Sequence, residues 1–318
     1  MTWRLALAAF LTLCLTALGQ QSRAQFNGCS AGFCGGTSVA TYQGPGDLFS
    51  SWVYWHSVNS CFTLAYSGNV ADITDASTGN TTGTRMVCNN GIASALVSSS
   101  ACTFVTGNAC SALATTCAVS CNLREAYDQT GNVQHMPQTA NANRPAVVTT
   151  GCGSMGWCVQ CVAASTQYLT KTSGTPTIAV PFNLSAAINP TSASGTTEIM
   201  GQDSSPTRML TIATNTIQGQ HTGSGFPTQS ITTGAWHEVQ ITQNGTSGSN
   251  VNVDGVDGST SMTSGTGSAS GNMGICGSGV GSLPYNGYWM ESGVNNGSAW
   301  NLANRQAMEA NQKTRLGI

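Results

Sequence analysis

The stretch from Ala235 to Thr242 reads AWHEVQIT, and the stretch from Asn250 to Gly258 reads NVNVDGVDG. In the first stretch, apolar and polar side chains alternate, so Val239 and Ile241 share one face of a predicted strand. In the second stretch, Asp254-Gly255 is a preferred two-residue turn between β-branched residues. These segments therefore predict an antiparallel β-structure with a hairpin at Asp254-Gly255.

Similar β-prone runs, separated by turns rich in Gly, Ser and Pro, continue along the second half of the chain. Further strands are predicted over Thr177–Ala187, Thr196–Gln202, Arg208–Ala213, Thr214–Gln220, Asn272–Cys276 and Tyr285–Val294. Their spacing of about ten residues indicates an all-β sandwich or barrel. Earlier in the chain, Phe49–Ala65 is aromatic and apolar, and is predicted to be either a short helix or a buried strand.

One helix is predicted at the end of the sequence. Ser298 or Asn301 is its expected N-cap, and Gly317 is expected to end it. Leu302, Met308 and nearby alanines are expected to form its apolar stripe.

The first residues predict a secretory signal. Arg4 precedes the apolar run Leu5–Leu18, and Ser22-Arg23-Ala24 places small residues where signal peptidase reads. The run is short for a membrane span, which needs about twenty apolar residues. We therefore expect residues 1–24 to be a signal peptide, no membrane insertion after cleavage, and a secreted or periplasmic protein. An uncleaved anchor is the alternative.

Cysteine usage supports export. The chain has 13 cysteines, and removing the signal removes Cys14, which leaves an even number. An even count in an exported chain favours disulfides over free thiols. Cysteines that lie close in sequence are predicted to be disulfide-bonded: Cys29 and Cys34, Cys117 and Cys121, Cys158 and Cys161. Zinc at Cys158-x-x-Cys161 is the alternative, but it would need a second pair of ligands.

The chain carries little charge. Only 7% of its residues are charged, and without the signal eight basic residues face twelve acidic ones, a net charge of −4. Nucleic-acid binding needs a basic face, so no nucleic acid is expected as a partner. A hydrophobic fraction of 40% with a strand-like pattern also excludes a disordered chain.

Three stretches resemble a known family. Tyr127-Asp-Gln-Thr-Gly-Asn132, followed by Gln138-Thr-Ala-Asn-Ala-Asn-Arg-Pro145, resembles the "YDQSGN…TQATAANRP" signature of laminin-G-like, concanavalin A-like domains. Gly234–Val239 with Val253-Asp-Gly255 resembles their "GxWHxV…VDG" strand pair, and Tyr288–Val294 resembles their closing strand. The resemblance implies one jelly-roll β-sandwich over residues 47–318 with a short C-terminal helix. Residues 25–46 are then a cysteine-clipped leader.

The Tyr127-Asp-Gln signature is also similar to one in the catalytic domain of the arabinofuranosidase B family. A short Cys–Cys clip precedes it there, at the position of Cys117 and Cys121. The resemblance implies a Glu nucleophile near Gly201–Ser204 and an Asp acid near Cys276–Gly279. Asp203 stands in the first of these stretches, whereas the second has no carboxylate.

Glycoside hydrolysis commonly uses two carboxyl groups, about 5.5 Å apart in retaining enzymes. The candidate catalytic pair is Asp203 and Glu291, with Glu198 and Glu238 in reserve. An outward-facing polar role is the alternative for Glu291. Asp128 is expected to bond nearby backbone rather than to act in catalysis.

Sugar binding needs aromatic faces and polar groups beside them. Tyr285-Asn286-Gly287-Tyr288 is the predicted ligand-binding segment, with Trp236 and His237 as a second ligand-facing pair. A hairpin turn and a sheet-surface histidine are the alternatives. The four histidines show no metal-binding spacing, so no metal and no cofactor are predicted, while calcium stays open through Asp side chains and carbonyls.

These observations favour a secreted, non-catalytic jelly roll that recognises a glycan or polysaccharide surface, or serves as a surface or appendage component. A glycoside hydrolase of the arabinofuranosidase B type with displaced acids is the second hypothesis. A purely structural virion or envelope module is the third.

Overall fold

A computed structural model of the chain describes eleven segments between Tyr42 and Ile318, and Tyr42–Ile318 forms one compact unit. The described segments are residues 42–76, 85–89, 92–96, 121–148, 150–153, 158–192, 194–202, 210–219, 227–245, 248–259 and 270–318. The predicted signal, Cys29, Cys34, Cys117 and Asp203 lie outside them.

The described part of the chain contains nineteen strands, two α-helices and two 3₁₀ helices, Asn141–Asn143 and Ala163–Ser165. The strands are β1 (Trp52–Ser57), β2 (Asn69–Asp75), β3 (Arg85–Asn89), β4 (Ile92–Leu96), β5 (Cys121–Ala126), β6 (Met136–Pro137), β7 (Ala146–Val148), β8 (Cys158–Cys161), β9 (Leu169–Lys171), β10 (Phe182–Pro190), β11 (Thr196–Gln202), β12 (Leu210–Ala213), β13 (Thr216–Gln218), β14 (Thr228–Ser230), β15 (His237–Gln243), β16 (Asn250–Val253), β17 (Val256–Asp257), β18 (Met273–Ile275) and β19 (Gly287–Asn295). The helices are α1 (Pro45–Leu48) and α2 (Leu302–Leu316).

The strands form two antiparallel sheets. The larger sheet has the order β17-β16-β15-β10-β19-β8-β7-β5-β2-β3-β4, with β1 also paired to β19 and β6 to β5. The smaller sheet has the order β14-β13-β12-β11-β18-β9. One hydrophobic core takes side chains from both sheets, among them Leu184, Ile241, Ile212 and Ile275. The predicted all-β sandwich with a short C-terminal helix is confirmed.

Strand β10 lies in the middle of the larger sheet and is buried along its whole length. Burial on both faces follows from the layers: the smaller sheet covers one face and α2 covers part of the other. Neighbouring β15 shows the alternation, because Val239 and Ile241 enter the core while Gln240 donates to Gln312 of α2 at 2.6 Å. The polar face predicted for Ala235–Thr242 is thus covered by the helix rather than by solvent.

The ends of α2 are those predicted from the sequence, with Asn301 rather than Ser298 as the cap. The Asn301 side chain accepts from the Asn304 amide at 2.9 Å, and Gly317 ends the helix with φ of 63°. The predicted apolar stripe is wrong at Leu302, which is 44% exposed. The buried face is instead largely polar because it lies on the polar face of β15 and β19; it consists of Arg305, Met308, Glu309, Gln312 and Leu316.

Local turn chemistry also matches the sequence. Asp254 and Gly255 have φ of 52° and 83°, as a two-residue hairpin turn requires, and they join β16 to β17. The aromatic segment Phe49–Ala65, left open as helix or strand, contains β1.

The Tyr127–Asn132 signature is a structural loop. Asp128 accepts from the backbone amides of Trp55, Thr130 and Gln134 at 3.0–3.1 Å. Asn132 donates to the Trp52 carbonyl at 2.9 Å, which ties the loop to β1. These bonds are those expected of Asp128, and they explain why the signature accompanies the fold rather than an activity.

Three disulfides join described cysteines: Cys61–Cys88, Cys152–Cys158 and Cys161–Cys276. Cys158 and Cys161 are therefore both bridged, but to other partners, because neighbouring positions on β8 send their side chains to different surroundings. Cys121 is disulfide-bonded as well. The Cys161–Cys276 bridge connects β8 of the larger sheet to the residue after β18 of the smaller sheet.

Residues assigned to the leader contact the sandwich where the structure describes them. The Gly46 amide donates to the Phe62 carbonyl at 2.9 Å, and the Tyr42 hydroxyl bonds the Cys61 carbonyl. Neither helix in the described part of the chain is long and apolar enough to cross a membrane.

Candidate functional site

Two predicted ligand-binding aromatics meet at one end of the larger sheet. Strand β10 places Ile188 opposite His237 of β15 and Asn189 opposite Tyr288 of β19. Trp236 immediately precedes His237, so its ring comes to the same end as Tyr288. The two ring centroids are 6.4 Å apart with planes at 42°, and both side chains are only half-buried. We call Trp236 and Tyr288 the aromatic platform.

A short glycine-rich loop holds the platform in place. The Trp236 Nε1 donates to the Gly151 carbonyl at 2.9 Å. A Cβ on Gly151, whose φ is 78°, would lie 2.8 Å from the Tyr288 ring, so this close approach needs glycine. Between Gly151 and Gly153, Cys152 is tied to Cys158 at the start of β8. The rings are therefore fixed by a disulfide-anchored backbone.

Hydrogen bonds between loops make this end one continuous surface. The Gly234 amide donates to Pro190 at 2.8 Å, and the Thr191 amide donates to Asn286 at 3.0 Å. A third bond joins the residue after β14 to the turn between β12 and β13: the Ile231 amide donates to the Asn215 carbonyl at 3.0 Å. We call this surface the platform end; its described loops are residues 150–153, 190–192, 194–195, 214–216, 231–236 and 283–288.

Two predicted ligand residues, Tyr285 and His237, are buried. Tyr285 is fully buried in the core, its hydroxyl donates to the Tyr288 carbonyl at 3.3 Å, and burial raises its pKa. His237 is 6% exposed, with Nδ1 2.7 Å from Asp254 and Nε2 3.1 Å from the Thr232 hydroxyl. Tertiary packing encloses both side chains. Their contact with a ligand stays a prediction that this burial does not support. Asn286 stays half-buried at the platform end.

The remaining described tryptophans belong to the interior. Trp52, Trp55, Trp289 and Trp300 are all at most 7% exposed. Trp52 and Trp300 pack edge to face, with centroids 5.9 Å apart. The platform is thus the part of the described chain where a tryptophan face remains accessible.

Glu291, one of the two predicted catalytic acids, is enclosed beneath α2. Its carboxylate is 0% exposed and accepts two bonds from Arg315, at 2.6 and 2.7 Å. Ser60 and Gln312 donate to it as well, at 2.6 and 3.0 Å. A general acid must reach the substrate, and Glu291 is instead paired with Arg315 inside the fold. A catalytic role for Glu291 stays a prediction that this burial does not support. Asp203 lies outside the described residues, so its role stays a prediction.

Glu238, a reserve acid, also lies under α2 and is 2% exposed. Its nearest cation is the Lys313 ammonium, 3.8 Å away. Loss of hydration raises the Glu238 pKa to about 8, against the lowering effect of Lys313. A carboxyl group enclosed between β15 and the helix cannot meet a substrate in this arrangement.

Glu198, the other reserve acid, lies on β11 opposite Thr211 of β12. Its amide donates to the Leu283 carbonyl at 2.8 Å, and the Cys276 amide donates to Ile199 at 2.9 Å. A Cβ on Gly201 would meet the Glu198 carboxylate, so glycine makes room for it. The backbone of β11 at Glu198 and Ile199 is thus bonded to both ends of Cys276–Leu283, which begins with Cys276–Gly279, the stretch in which the resemblance places an acid. The Glu198 side chain itself is 1% exposed.

Within the described residues, no group of three or more His, Cys, Asp or Glu side chains is arranged to hold a metal ion. Calcium binding through Asp side chains and carbonyls therefore stays an open prediction.

Comparisons with known proteins extend this description. No family model matches the chain, and no curated protein sequence matches it. Among solved structures, a GH54 α-L-arabinofuranosidase mutant soaked with 4-nitrophenyl α-L-arabinofuranoside is similar over 83% of this chain and 63% of its own, with 15% identity and a TM-score of 0.57. An arabinofuranosidase complexed with arabinofuranosyl-α-1,2-xylobiose is similar over 83% and 62%, with 14% identity and the same TM-score.

This chain therefore spans less than two thirds of those arabinofuranosidases, and identity this low shows a shared fold alone. The distant similarity to the arabinofuranosidase fold, inferred from the Tyr127-Asp-Gln signature, is confirmed.

Proposed function

We propose that this protein is an exported, non-catalytic carbohydrate-recognition β-sandwich, and that its glycan stacks on the aromatic platform of Trp236 and Tyr288. The single observation that carries the proposal is this half-buried, mutually packed ring pair at a loop-lined end of the sandwich. Its partner would be a polysaccharide or a glycan-bearing surface.

The aromatic platform is rigid, and polar groups that can bind sugar hydroxyls surround it. Aromatic side chains give large contact areas, and here their orientation is fixed by the Gly151 carbonyl and the Cys152–Cys158 bridge. A rigid surface loses little conformational entropy when a ligand binds, which favours affinity. Asn286 and the exposed Thr191 and Thr233 lie on the same surface and offer hydrogen-bonding groups to sugar hydroxyls.

Export is part of the proposal. Disulfides persist in oxidising compartments, and the described residues contain three complete bridges. Together with the predicted signal over residues 1–24, they support a secreted or periplasmic location. A carbohydrate ligand also agrees with the sugars bound to the structurally similar arabinofuranosidases.

The test is binding to a panel of soluble polysaccharides by affinity electrophoresis, followed by calorimetry on any hit. Trp236→Ala and Tyr288→Ala are each expected to weaken binding by about tenfold or more, since loss of about 1.4 kcal/mol corresponds to that factor. Val280→Ala, at a side chain that is 63% exposed in the Cys276–Leu283 segment, is the control and should bind normally.

Circular dichroism of each variant checks that the fold is kept. Binding that survives both platform substitutions would refute this site. No binding to any polysaccharide would refute carbohydrate recognition and favour the purely structural module.

A glycoside hydrolase of the arabinofuranosidase type is the second candidate, favoured by Glu198 beside Cys276–Leu283. Hydrolysis of 4-nitrophenyl α-L-arabinofuranoside is the direct assay, with Glu198→Gln, Asp203→Asn and Glu291→Gln as variants. We expect no turnover above background. Turnover that disappears in Glu198→Gln and survives in Glu291→Gln would replace the non-catalytic proposal by the enzyme.

A further inference from the structure

We infer that the aromatic platform takes a neutral glycan and discriminates against sugars that carry carboxylate, sulfate or phosphate groups. This inference rests on the proposed function, because it specifies the ligand class of the same site. The sequence alone did not predict it, since it depends on which loops the fold gathers at the platform end.

The loops of the platform end carry no acidic or basic side chain. Residues 150–153 are TGCG, 190–192 are PTS, 194–195 are SG, 214–216 are TNT, 231–236 are ITTGAW and 283–288 are LPYNGY. Their polar groups are hydroxyls, amides and backbone. Such groups form hydrogen bonds with sugar hydroxyls. An anionic sugar placed on the rings would lose hydration without gaining an ion pair.

His237, which follows Trp236 in the chain, and its partner Asp254 are already engaged in the fold. Asp254 accepts from His237 Nδ1 at 2.7 Å and from the Glu238 amide at 3.0 Å. The other nitrogen of His237 is 3.1 Å from both the hydroxyl and the carbonyl of Thr232. The pair therefore presents no free cation to a ligand on Trp236.

Three arginines elsewhere in the described chain are paired with carboxylates, and the Lys171 ammonium donates to the Val133 carbonyl at 3.2 Å. Arg85 bonds Asp72, Arg305 bonds Asp257, and Arg315 bonds Glu291, each at 2.6–2.8 Å. Anion recognition in proteins relies on free Arg or Lys donors. The described part of the platform end supplies none, so charge complementarity points to an uncharged ligand.

The first experiment compares polymers that differ in charge. Affinity electrophoresis of the full chain uses polygalacturonate and its carboxyl-reduced form, carboxymethyl-cellulose and hydroxyethyl-cellulose, and neutral arabinan and xylan. Each polymer is tested against the wild type and Trp236→Ala. We expect every ligand that depends on Trp236 to be neutral, and its binding to change less than about twofold between about 0.05 and 0.5 M salt.

A second experiment adds the missing charge. Thr233→Lys places an ammonium on an exposed position three residues before Trp236, and is expected to give measurable retention by polygalacturonate that salt abolishes. Ser173→Lys is the matched control. It is exposed and lies beyond Lys171, which pairs with Met273 at the opposite end of the sandwich. This control should leave polygalacturonate unbound.

The outcomes separate the inference from the proposed function. An acidic polymer that binds the wild type and is lost in Trp236→Ala would leave carbohydrate recognition standing and overturn neutrality. The absence of any Trp236-dependent ligand would overturn the proposed function, and the inference with it. Equal retention of Thr233→Lys and Ser173→Lys by polygalacturonate would also contradict the inference. The added lysine would then bind the polymer wherever it stands on the surface, independently of the platform.

Discussion

The buried carboxyl group of Glu238 makes the stability of this fold depend on pH. One carboxylate oxygen lies 3.8 Å from Lys313, and the other has no hydrogen-bond partner in the structure. Lys313 itself bonds Glu309. Because desolvation outweighs the attraction of Lys313 and raises the Glu238 pKa to about 8, the folded protein holds this group protonated at neutral pH.

Replacing Glu238 by glutamine should stabilise the protein in alkaline solution. A carboxyl group whose pKa is raised by folding contributes stability below its unfolded value near 4.5, and that stability is lost as the pH rises through about 8. Glu238→Gln should therefore raise the free energy of unfolding by about 5 kcal/mol at pH 9, because the pKa shift from 4.5 to about 8 is fully expressed there and each pKa unit is about 1.4 kcal/mol. Urea unfolding of the wild type and Glu238→Gln at pH 5 and pH 9 measures this change in the free energy of unfolding.

Glu125→Gln is the control for this prediction, since Glu125 is only half-buried. It should change stability little at either pH. An equal gain for Glu238→Gln at pH 5 and pH 9 would show that ionisation of Glu238 is not responsible.

Helix α2 is fastened to the larger sheet by an ion pair as well as by apolar contacts. Arg315 is 3% exposed and Glu291 is 0% exposed, and the guanidinium also lies 5.9 Å from the centre of the Trp55 ring. Removing one partner of such a pair leaves an uncompensated buried charge, which typically costs about 3–5 kcal/mol. The last turn of α2 is therefore the part of the helix most sensitive to substitution.

We expect Arg315→Met to destabilise the fold by about 3–5 kcal/mol and the double variant Arg315→Met with Glu291→Leu to recover most of the loss. Chemical denaturation of the single and double variants gives the coupling energy. Arg85→Met is the matched control: its bidentate pair with Asp72 is similar, but its side chain is 49% exposed. That substitution should cost about 1 kcal/mol or less.

If the double variant is as unstable as Arg315→Met alone, the arginine acts through packing on Trp55 and not through charge compensation.

Over the whole molecule, the Cys161–Cys276 bridge holds the two sheets together. It closes a loop of 115 residues, whereas Cys152–Cys158 closes one of 6. All four cysteines are at most 2% exposed, so the two bridges differ chiefly in loop length. In the chain-entropy description, a longer closed loop restricts the unfolded chain more.

Replacing both cysteines of the Cys161–Cys276 bridge by alanine should lower the free energy of unfolding by about 5 kcal/mol, against about 2 kcal/mol for the Cys152–Cys158 bridge. Denaturation of the two double variants measures the difference. Equal losses would mean that strain or packing around each bridge, rather than loop length, decides its contribution.

The sequence predicted those features that depend on neighbouring residues. The turn at Asp254-Gly255, the cap at Asn301 and the helix end at Gly317 each follow from the local conformational preference of one residue type. The alternation along Ala235–Thr242 likewise predicted which side chains enter the core. Both rings of the aromatic platform were also among the predicted ligand residues, because Trp236 immediately precedes β15 and Tyr288 lies at the start of β19.

Only the tertiary structure decided which polar groups are free to act. Glu291, His237 and Tyr285 carry chemistry that suits a site, yet partners far away in the chain, or simple enclosure in the core, remove them from solvent. The pairing of Cys161 with the distant Cys276 has the same origin. Burial and long-range contacts depend on how separate strands come together, and a pattern of neighbouring residues does not contain that information.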